Sequence, residues 1–287
     1  MPDYDSAGNP VPPQRTGCAF PTRLLVAVAV LLFGVIQFYL KNPSQTNPVT
    51  DQTHHIGLSV PDQIKLGLQA APEMIDEHGG EHSDPALRAK VTALGLKLVE
   101  ANTRGDWAPQ FQQYQWQFHL LADPETINAF ALPGGQVFFT YGLYKHLETD
   151  DEIAAVIGHE IGHVIAQHSA QQMAKAGLIN SAAQAIQIAG SDGNHDSTQM
   201  ARMVQAALST KYSRGDETQA DQLGVQFLIG AGCDPQAMIG VMEVLEKTAS
   251  SGRTPEMFST HPNPEHRIDH IRQVIDDVRS GKLEGPK

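Results

Sequence analysis

The chain has 287 residues, a hydrophobic share of 41% and a formal net charge of −12 at pH 7. This length allows one ordinary domain with extra segments, and the acidic balance argues against a nucleic-acid partner. The two cysteines, Cys18 and Cys233, lie far apart, and neither has a Cys or His partner at zinc-finger spacing. They therefore predict neither a disulfide framework nor a thiolate metal site.

An uncharged apolar run over residues 24–40 predicts a membrane anchor, although its 17 residues are at the short end for a spanning helix. A cleaved signal peptide is the alternative. It would need an unusually long leading region, residues 1–23, and Lys41 does not begin a small-residue cleavage site. Arg15 and Arg23 precede the run and only Lys41 follows closely, so the positive-inside rule keeps the N-terminal tail cytoplasmic. The rest of the chain is then expected in the periplasm or an equivalent compartment.

The polar stretch 41–58, which prolines interrupt, predicts a linker to a domain over residues 59–287. Helices are predicted over 62–77, 84–103, 217–231, 235–250 and 264–279. Short strands are predicted over 116–121, 128–132 and 137–141, with Pro133-Gly134-Gly135 as the turn between the last two. Residues 168–211 predict two helices joined by a mobile loop, which is either a lid or ordinary packing. The pattern indicates a mostly helical α+β domain with a small sheet.

The motif His159-Glu160-Ile161-Gly162-His163 lies in a segment with the apolar spacing of a helix. Residues four apart share one helix face, so the two histidines can hold one zinc ion. Glu160 projects about 100° around the helix, where a carboxylate can take a proton from a zinc-bound water. Thr149 and Glu152 predict a capping box at the start of this helix. A surface helix with two chance histidines is the alternative, and the apolar stripe argues against it.

Glu217 is the best candidate for the third ligand that a catalytic zinc requires. The segment from Glu217 to Phe227 is compatible with a helix, which would place Glu217 and Asp221 on one face. Glu217 can then bind zinc, and Asp221 can accept the outward N–H of a ligating histidine. A solvated acidic helix start is the alternative. The HExxH helix upstream favours the metal site.

Four ordered motifs resemble the membrane-associated zinc endopeptidases that include the CAAX prenyl protease and the heat-shock protease HtpX. The resemblance is greatest to the quality-control branch with a water-facing catalytic domain. The motifs are Asn128 to Gly135, His159 to His163, Glu217 to Asp221, and Ser259 to Pro262 followed by Arg267. Together they span about half of the chain, which makes the resemblance far more specific than HExxH alone.

The resemblance implies a zincin-like (gluzincin) fold with one zinc ion per chain. By this resemblance the zinc ligands are His159, His163 and Glu217, the general base is Glu160, and the supporting carboxylate is Asp221. These assignments agree with the roles that residue spacing suggests for the same side chains.

The resemblance also implies two further elements of the site. His261 and Arg267 would lie over the metal and face the developing oxyanion, and in some relatives the equivalent histidine can cap the metal. The strand edge at Asn128, Ala129 and Phe130 would bind the substrate as an added extended strand, which is a sensible way to grip many peptide sequences. An ordinary structural hairpin is the alternative for that strand.

These features together predict a single-pass, zinc-dependent endopeptidase of the bacterial inner membrane with a periplasmic catalytic domain. Its expected partners are protein and peptide substrates and the membrane, and the resemblance alone suggests misfolded or unassembled envelope proteins as substrates. One alternative is a non-catalytic, chaperone-like module that keeps zinc for structure, but such a site needs no base like Glu160. The other is a hydrolase of small molecules, which an extended substrate-binding edge does not favour.

Overall fold

The computed structural model describes residues 36, 40, 44–47, 49–50, 53–56, 58–104, 107–174, 211–252, 254–261 and 266–283. The tail and nearly all of the anchor predicted over 24–40 lie outside these residues, as does most of the segment 168–211. Within the described ranges, no helix has the length and apolarity needed to cross a membrane. The elements below belong to the unit formed by Lys41–Gly177 and Asp196–Lys287.

A small hairpin forms within the predicted linker 41–58. Strand β1 (Ser44–Thr46) pairs antiparallel with strand β2 (Thr53–His55). Buried Asn47 donates from Nδ2 to the backbone oxygen of Ile165 at 2.6 Å. This segment is therefore in contact with the domain, which its composition did not indicate because the strands are short and polar.

Two long helices follow, in good agreement with the predicted ranges: α1 (Val60–Glu77) and α2 (Pro85–Asn102). Ser59 caps the first by accepting a hydrogen bond from a backbone N–H in its first turn, and Asp84 caps the second in the same way. Each helix has proline in its first turn, where a missing N–H costs no helical hydrogen bond. The short helix α3 (Ala108–Gln112) leads into the sheet.

The three predicted strands are confirmed as β3 (Gln117–Leu121), β4 (Ala129–Leu132) and β5 (Gln136–Thr140). Their order is β3-β5-β4, with β5 parallel to β3 and antiparallel to β4. Gly134 (φ 90°) and Gly135 (φ 104°) form the tight turn between β4 and β5, in a conformation that favours glycine.

The sheet separates two apolar layers. On one face Leu121, Leu132 and Phe138 pack against Leu66 and Met74 of α1. The other face, which carries the side chains of Phe118, Leu120, Ala129, Ala131, Val137 and Phe139, belongs to the main core with α2 and the HExxH helix. The mostly helical α+β architecture predicted from the sequence is confirmed.

Helix α4 (Tyr141–Tyr144) connects the sheet to the HExxH helix α5 (Asp150–Ile165). The predicted capping box of Thr149 and Glu152 is present at the start of α5. Every residue of α5 from Ile153 onward is buried, which explains the strength of its apolar signal.

Helix α6 (Arg214–Gly230) begins three residues before the predicted start, because Ser213 and Asp216 form a second capping box. It crosses α5 at close range. A Cβ added at Gly162 of α5 would lie 2.9 Å from the backbone oxygen of Ala220 on α6. The absence of a side chain at Gly162 therefore allows the two backbones to touch, and this contact brings Glu217 toward the HExxH motif.

The C-terminal helices are α7 (Ala237–Ser250), α8 (Met257–Thr260) and α9 (Arg267–Arg279). The first and last confirm the helices predicted over 235–250 and 264–279 to within two or three residues at their starts. Both pack on the α5–α6 pair, α7 against α5 and α9 against α6. Helix α9 thereby places its first residue, Arg267, beside the motif residues of α6.

Candidate metal centre and active site

Four buried side chains offer ligand atoms that all lie within 4.8 Å of one another: His159, His163, Glu217 and His261. The Nε2 atoms of His159 and His163 are 3.0 Å apart. Glu217 places one carboxylate oxygen 3.4 Å from His163 Nε2 and the other 3.6 Å from His159 Nε2. Ligands at 2.0–2.1 Å from a tetrahedral zinc lie about 3.3 Å from one another, so this donor set fits such an ion.

Glu160 lies beside this group, with its Oε1 3.8 Å from His261 Nε2. It is fully buried, and neither of its carboxylate oxygens has a hydrogen-bond partner among the described residues. Leaving a buried acceptor unpaired is costly, so the geometry points to a partner that the described residues do not supply. Burial also raises the pKa of the Glu160 carboxyl, which suits a group that must take up a proton near neutral pH.

Asp221 lies behind His159, on the side away from the other ligands. His159 donates from Nδ1 to Asp221 Oδ1 at 2.9 Å, which leaves its Nε2 directed at the ligand group. Burial would raise the pKa of Asp221, but the guanidinium of Arg267 outweighs this effect and holds the pKa below its ordinary value. Asp221 is therefore an ionised acceptor for the outward N–H of His159.

Arg267 binds the carboxylates beside the site. Its Nε and Nη2 donate to the two oxygens of Asp221 at 2.6 and 2.7 Å, and Nη1 lies 3.0 Å from Glu217 Oε2. Such a bidentate pair is geometrically specific as well as strong. These contacts favour a role in holding Asp221 and Glu217, and the expected contact with an oxyanion stays a prediction.

His261 lies within the ligand group, at the end of α8. Its Nδ1 is 3.0 Å from Glu217 Oε1 and 3.3 Å from His159 Nε2. Its Nε2 is 3.8 Å from Glu160 Oε1. The backbone N–H of His261 donates to Met257 at 2.7 Å, so the short helix fixes its position.

Two buried aromatic residues next to His163 were not found from the sequence. His168 places Nδ1 2.9 Å from His163 Nδ1, and the ring centroid of Tyr212 lies 4.0 Å from that of His163. The Tyr212 hydroxyl is 2.9 Å from Ser169 Oγ. The only signal for His168 was its spacing of five after His163, which would direct it to a different face if the helix continued without a break.

Strand β4 is the sheet edge that forms fewer hydrogen bonds with the other described residues, although Ala129 itself is buried. The outer edge of β3 is covered, because His82 donates to Leu120 and Ala122 donates to Gly80, both at 2.8 Å. In contrast, β4 pairs only with β5 among the described strands. The two edges of the sheet are therefore not equivalent for the addition of another strand.

The outward backbone groups of β4 can be assigned from the ladder. Thr140 donates to Asn128 O, so the alternating residues Ala129 and Ala131 direct their backbone groups away from β5. Ala131 O accepts from Ser169 Oγ at 3.2 Å. Among the described residues, Ala129 thus has an outward N–H and C=O that the chain does not use, while the ring of Phe130 stacks on Phe138.

Comparison with known proteins agrees with this geometry. Residues 92–275 match the model of Peptidase family M48. Mitochondrial metalloendopeptidase OMA1 of Saccharomyces cerevisiae is 28% identical over 255 residues, which cover 85% of this chain. Beta-barrel assembly-enhancing protease of Escherichia coli K12 is 27% identical over 270 residues, or 88% of this chain. Metalloprotease YcaL of Escherichia coli K12 is 35% identical over 157 residues, or 54% of this chain.

The matches cover different shares of these relatives. They span 73% of the yeast protein, 52% of the assembly-enhancing protease and 60% of YcaL. The matched family region contains α5, α6 and most of α9, and hence every side chain of the candidate site.

Proposed function

The chain belongs to peptidase family M48 and is a metalloprotease, and on that premise we propose that it is a zinc-dependent endopeptidase. One observation carries the proposal. Four buried ligand atoms lie within 4.8 Å of one another, and beside them lies the carboxylate of Glu160, which has no hydrogen-bond partner among the described residues. His159, His163 and Glu217 would hold the ion, with His261 close enough to join them.

The residues of the site have separate roles in the proposed hydrolysis of a peptide bond. When bound, zinc supplies Lewis-acid polarisation of a water molecule and of the peptide carbonyl. Glu160 takes a proton from the attacking water and later donates it to the leaving amine. Asp221 keeps the Nδ1 proton on His159, and Arg267 keeps the carboxylates of Glu217 and Asp221 in place.

The substrate is proposed to bind as an extended peptide along β4. Backbone hydrogen bonds to Ala129 would bind a peptide largely independently of its sequence. The covered edge of β3 and the bond from Ser169 to Ala131 both direct this pairing to the Ala129 region. Asn128, just before the strand, places its Nδ2 3.4 Å from Glu256 Oε1, which links the strand to the N-terminal end of the helix that leads to His261.

The proposal extends to location and substrate class. The apolar run 24–40 supports a single membrane anchor, with residues 1–23 cytoplasmic and the catalytic domain in the periplasm of a bacterial cell. The assembly-enhancing protease is named for a role in β-barrel assembly. Together with the sequence motifs, this name supports misfolded or unassembled envelope proteins as substrates.

The test compares the detergent-solubilised full chain with its Glu160→Gln variant. Both are incubated with unfolded casein, and their zinc content is measured by atomic absorption. We expect the variant to retain zinc and to cleave at least about 10²-fold more slowly, because it lacks the base. A chelator should abolish cleavage by the unmodified chain.

Glu148→Gln serves as the matched control, because Glu148 is exposed and lies just before the same helix. It should cleave like the unmodified chain. Near-normal cleavage by Glu160→Gln would refute the mechanism. Zinc binding without any cleavage by the unmodified chain would instead favour the chaperone-like alternative.

A further inference from the structure

His168 is a buried histidine for which the proposed mechanism has no use. It is 2% exposed, and it lies in the helical residues 168–174 that follow α5. Each of its ring nitrogens faces one polar atom at hydrogen-bond distance. Nδ1 is 2.9 Å from His163 Nδ1, and Nε2 is 2.9 Å from Gln219 Oε1 on α6.

These contacts determine where the protons lie. His163 directs Nε2 at the ligand group, and a ligating nitrogen carries no proton, so the neutral ring is protonated at Nδ1. That N–H requires an acceptor, which His168 Nδ1 provides only if the proton of His168 is on Nε2. Gln219 Oε1 is an acceptor and receives that proton. With the proton of His168 on Nδ1 instead, two N–H groups would face each other at the His163 contact and two lone pairs would face each other at the Gln219 contact.

The backbone is bent to make this contact possible. On a continuing helix, a residue five positions after His163 would lie about 140° around the axis from it. Gln167 instead adopts the left-handed conformation, with φ 61°, immediately before His168. A non-glycine residue seldom takes this conformation unless its surroundings hold it there. The Gln167 side chain donates to the Tyr114 hydroxyl at 3.2 Å, which helps to hold it.

We propose that His168 is a positioning residue that fixes His163 in its metal-binding tautomer, and that Gln219 fixes His168 in turn. This inference rests on the proposed zinc site. The two histidine ligands are then supported differently: His159 donates to the ionised Asp221, whereas His163 donates to a neutral imidazole. The carboxylate of Asp216 also lies on the His168 side, with Oδ1 3.8 Å from His168 Nε2, which is beyond hydrogen-bond distance.

Two substitutions at position 168 separate hydrogen bonding from packing. In His168→Asn, the side-chain oxygen stands near the former Nδ1 and can still accept from His163, although the side chain is smaller. In His168→Phe, the ring volume is kept and the acceptor is lost. Zinc affinity is measured for the detergent-solubilised full chain by chelator competition, and thermal unfolding is measured in parallel to confirm that each variant folds.

We expect His168→Phe to bind zinc about 10–100-fold more weakly, as is usual when the partner of a metal-bound histidine is lost. His168→Asn should retain most of the affinity. A packing role predicts the opposite order, with Phe better than Asn, and that result would overturn the proposal. Equal affinity of both variants and the unmodified chain would overturn it as well.

A second measurement tests the tautomer without metal. In metal-free protein labelled with ¹⁵N-histidine, the His168 signals are identified by their loss in His168→Asn. We expect Nε2 to carry the proton, and we expect Gln219→Met to weaken that preference. A proton on Nδ1 of His168 in the unmodified chain would overturn the inference even if zinc bound as proposed. Failure of the unmodified chain to bind zinc would instead reject the proposed function.

Discussion

The close crossing of α5 and α6 makes a sharp prediction about Gly162. In Gly162→Ala, the new Cβ would lie 2.9 Å from Ala220 O and 3.1 Å from Ala220 Cα, both backbone atoms that cannot rotate away. The shorter distance is roughly half an ångström below the 3.4 Å at which ordinary contact begins. The helices must therefore separate by about that amount near the metal site.

The effect on metal binding should exceed the effect on folding. Alanine gains about 1 kcal/mol over glycine within a helix, and overpacking costs roughly 1–3 kcal/mol, so the two partly cancel in the free energy of unfolding. Glu217 lies one turn before Ala220 and moves with it. Metal–ligand distances tolerate only about 0.2 Å, so a shift of half an ångström should weaken zinc binding by about 10–100-fold.

Gly158→Ala is the matched control, one turn earlier on the same helix. Its Cβ would lie 3.5 Å from Gly224 O, an ordinary contact, so it should gain helix stability and keep zinc affinity. Chelator competition and thermal unfolding of both variants provide the assay. If Gly162→Ala bound zinc as tightly as Gly158→Ala, the close helix contact would not be what positions Glu217.

Two further predictions concern the ligands themselves. Glu217→Ala should lose zinc, whereas Asp221→Ala should only weaken zinc binding by roughly 10–100-fold, because Asp221 supports a ligand without being one. Chelator competition measures both affinities. Full zinc affinity in Glu217→Ala would mean that another residue is the third ligand, with His261 as the first candidate. His261→Ala should change the rate of casein cleavage, upward if His261 restrains the enzyme by capping the metal and downward if it supports the oxyanion. An unchanged rate would exclude both roles.

Most of the local structure of the site could be predicted from the sequence. The HExxH helix could be predicted because its ligand spacing, apolar stripe and capping box all lie within one continuous segment. The strands of the sheet were predicted closely for the same reason, since their turn is the short run Pro133-Gly134-Gly135. The link between α5 and α6 was suggested by the spacing of Glu217 and Asp221 once the two histidines were known.

Features that depend on the packing of distant segments could not be predicted in this way. The need for glycine at position 162 becomes apparent only in the folded structure, where the backbone of Ala220 lies beside it. His168 reaches His163 only because Gln167 takes a left-handed conformation, for which glutamine gives no sequence signal. The pairing of Arg267 with Asp221 joins two helices whose relative position the sequence does not specify.

The charges of the site explain why these groups are buried together. Glu160, Glu217 and Asp221 are buried carboxylates, and Arg267 is the buried cation that contacts two of them. If all four are ionised, they leave an excess of two negative charges. Burial lowers the pKa of His163 well below its ordinary value, so this imidazole does not supply the balance. Burial also opposes a charge on His261, but the carboxylates of Glu217 and Glu160 outweigh burial and raise the pKa of His261, so this imidazole can supply part of the balance when no metal is bound. Buried charges persist only when they are compensated, and a divalent cation held by Glu217 and neutral imidazoles would compensate this set in full. The same charge count explains why Arg267 is needed at the site. Without its positive charge, the negative charge of the three carboxylates would exceed what one divalent ion can neutralise.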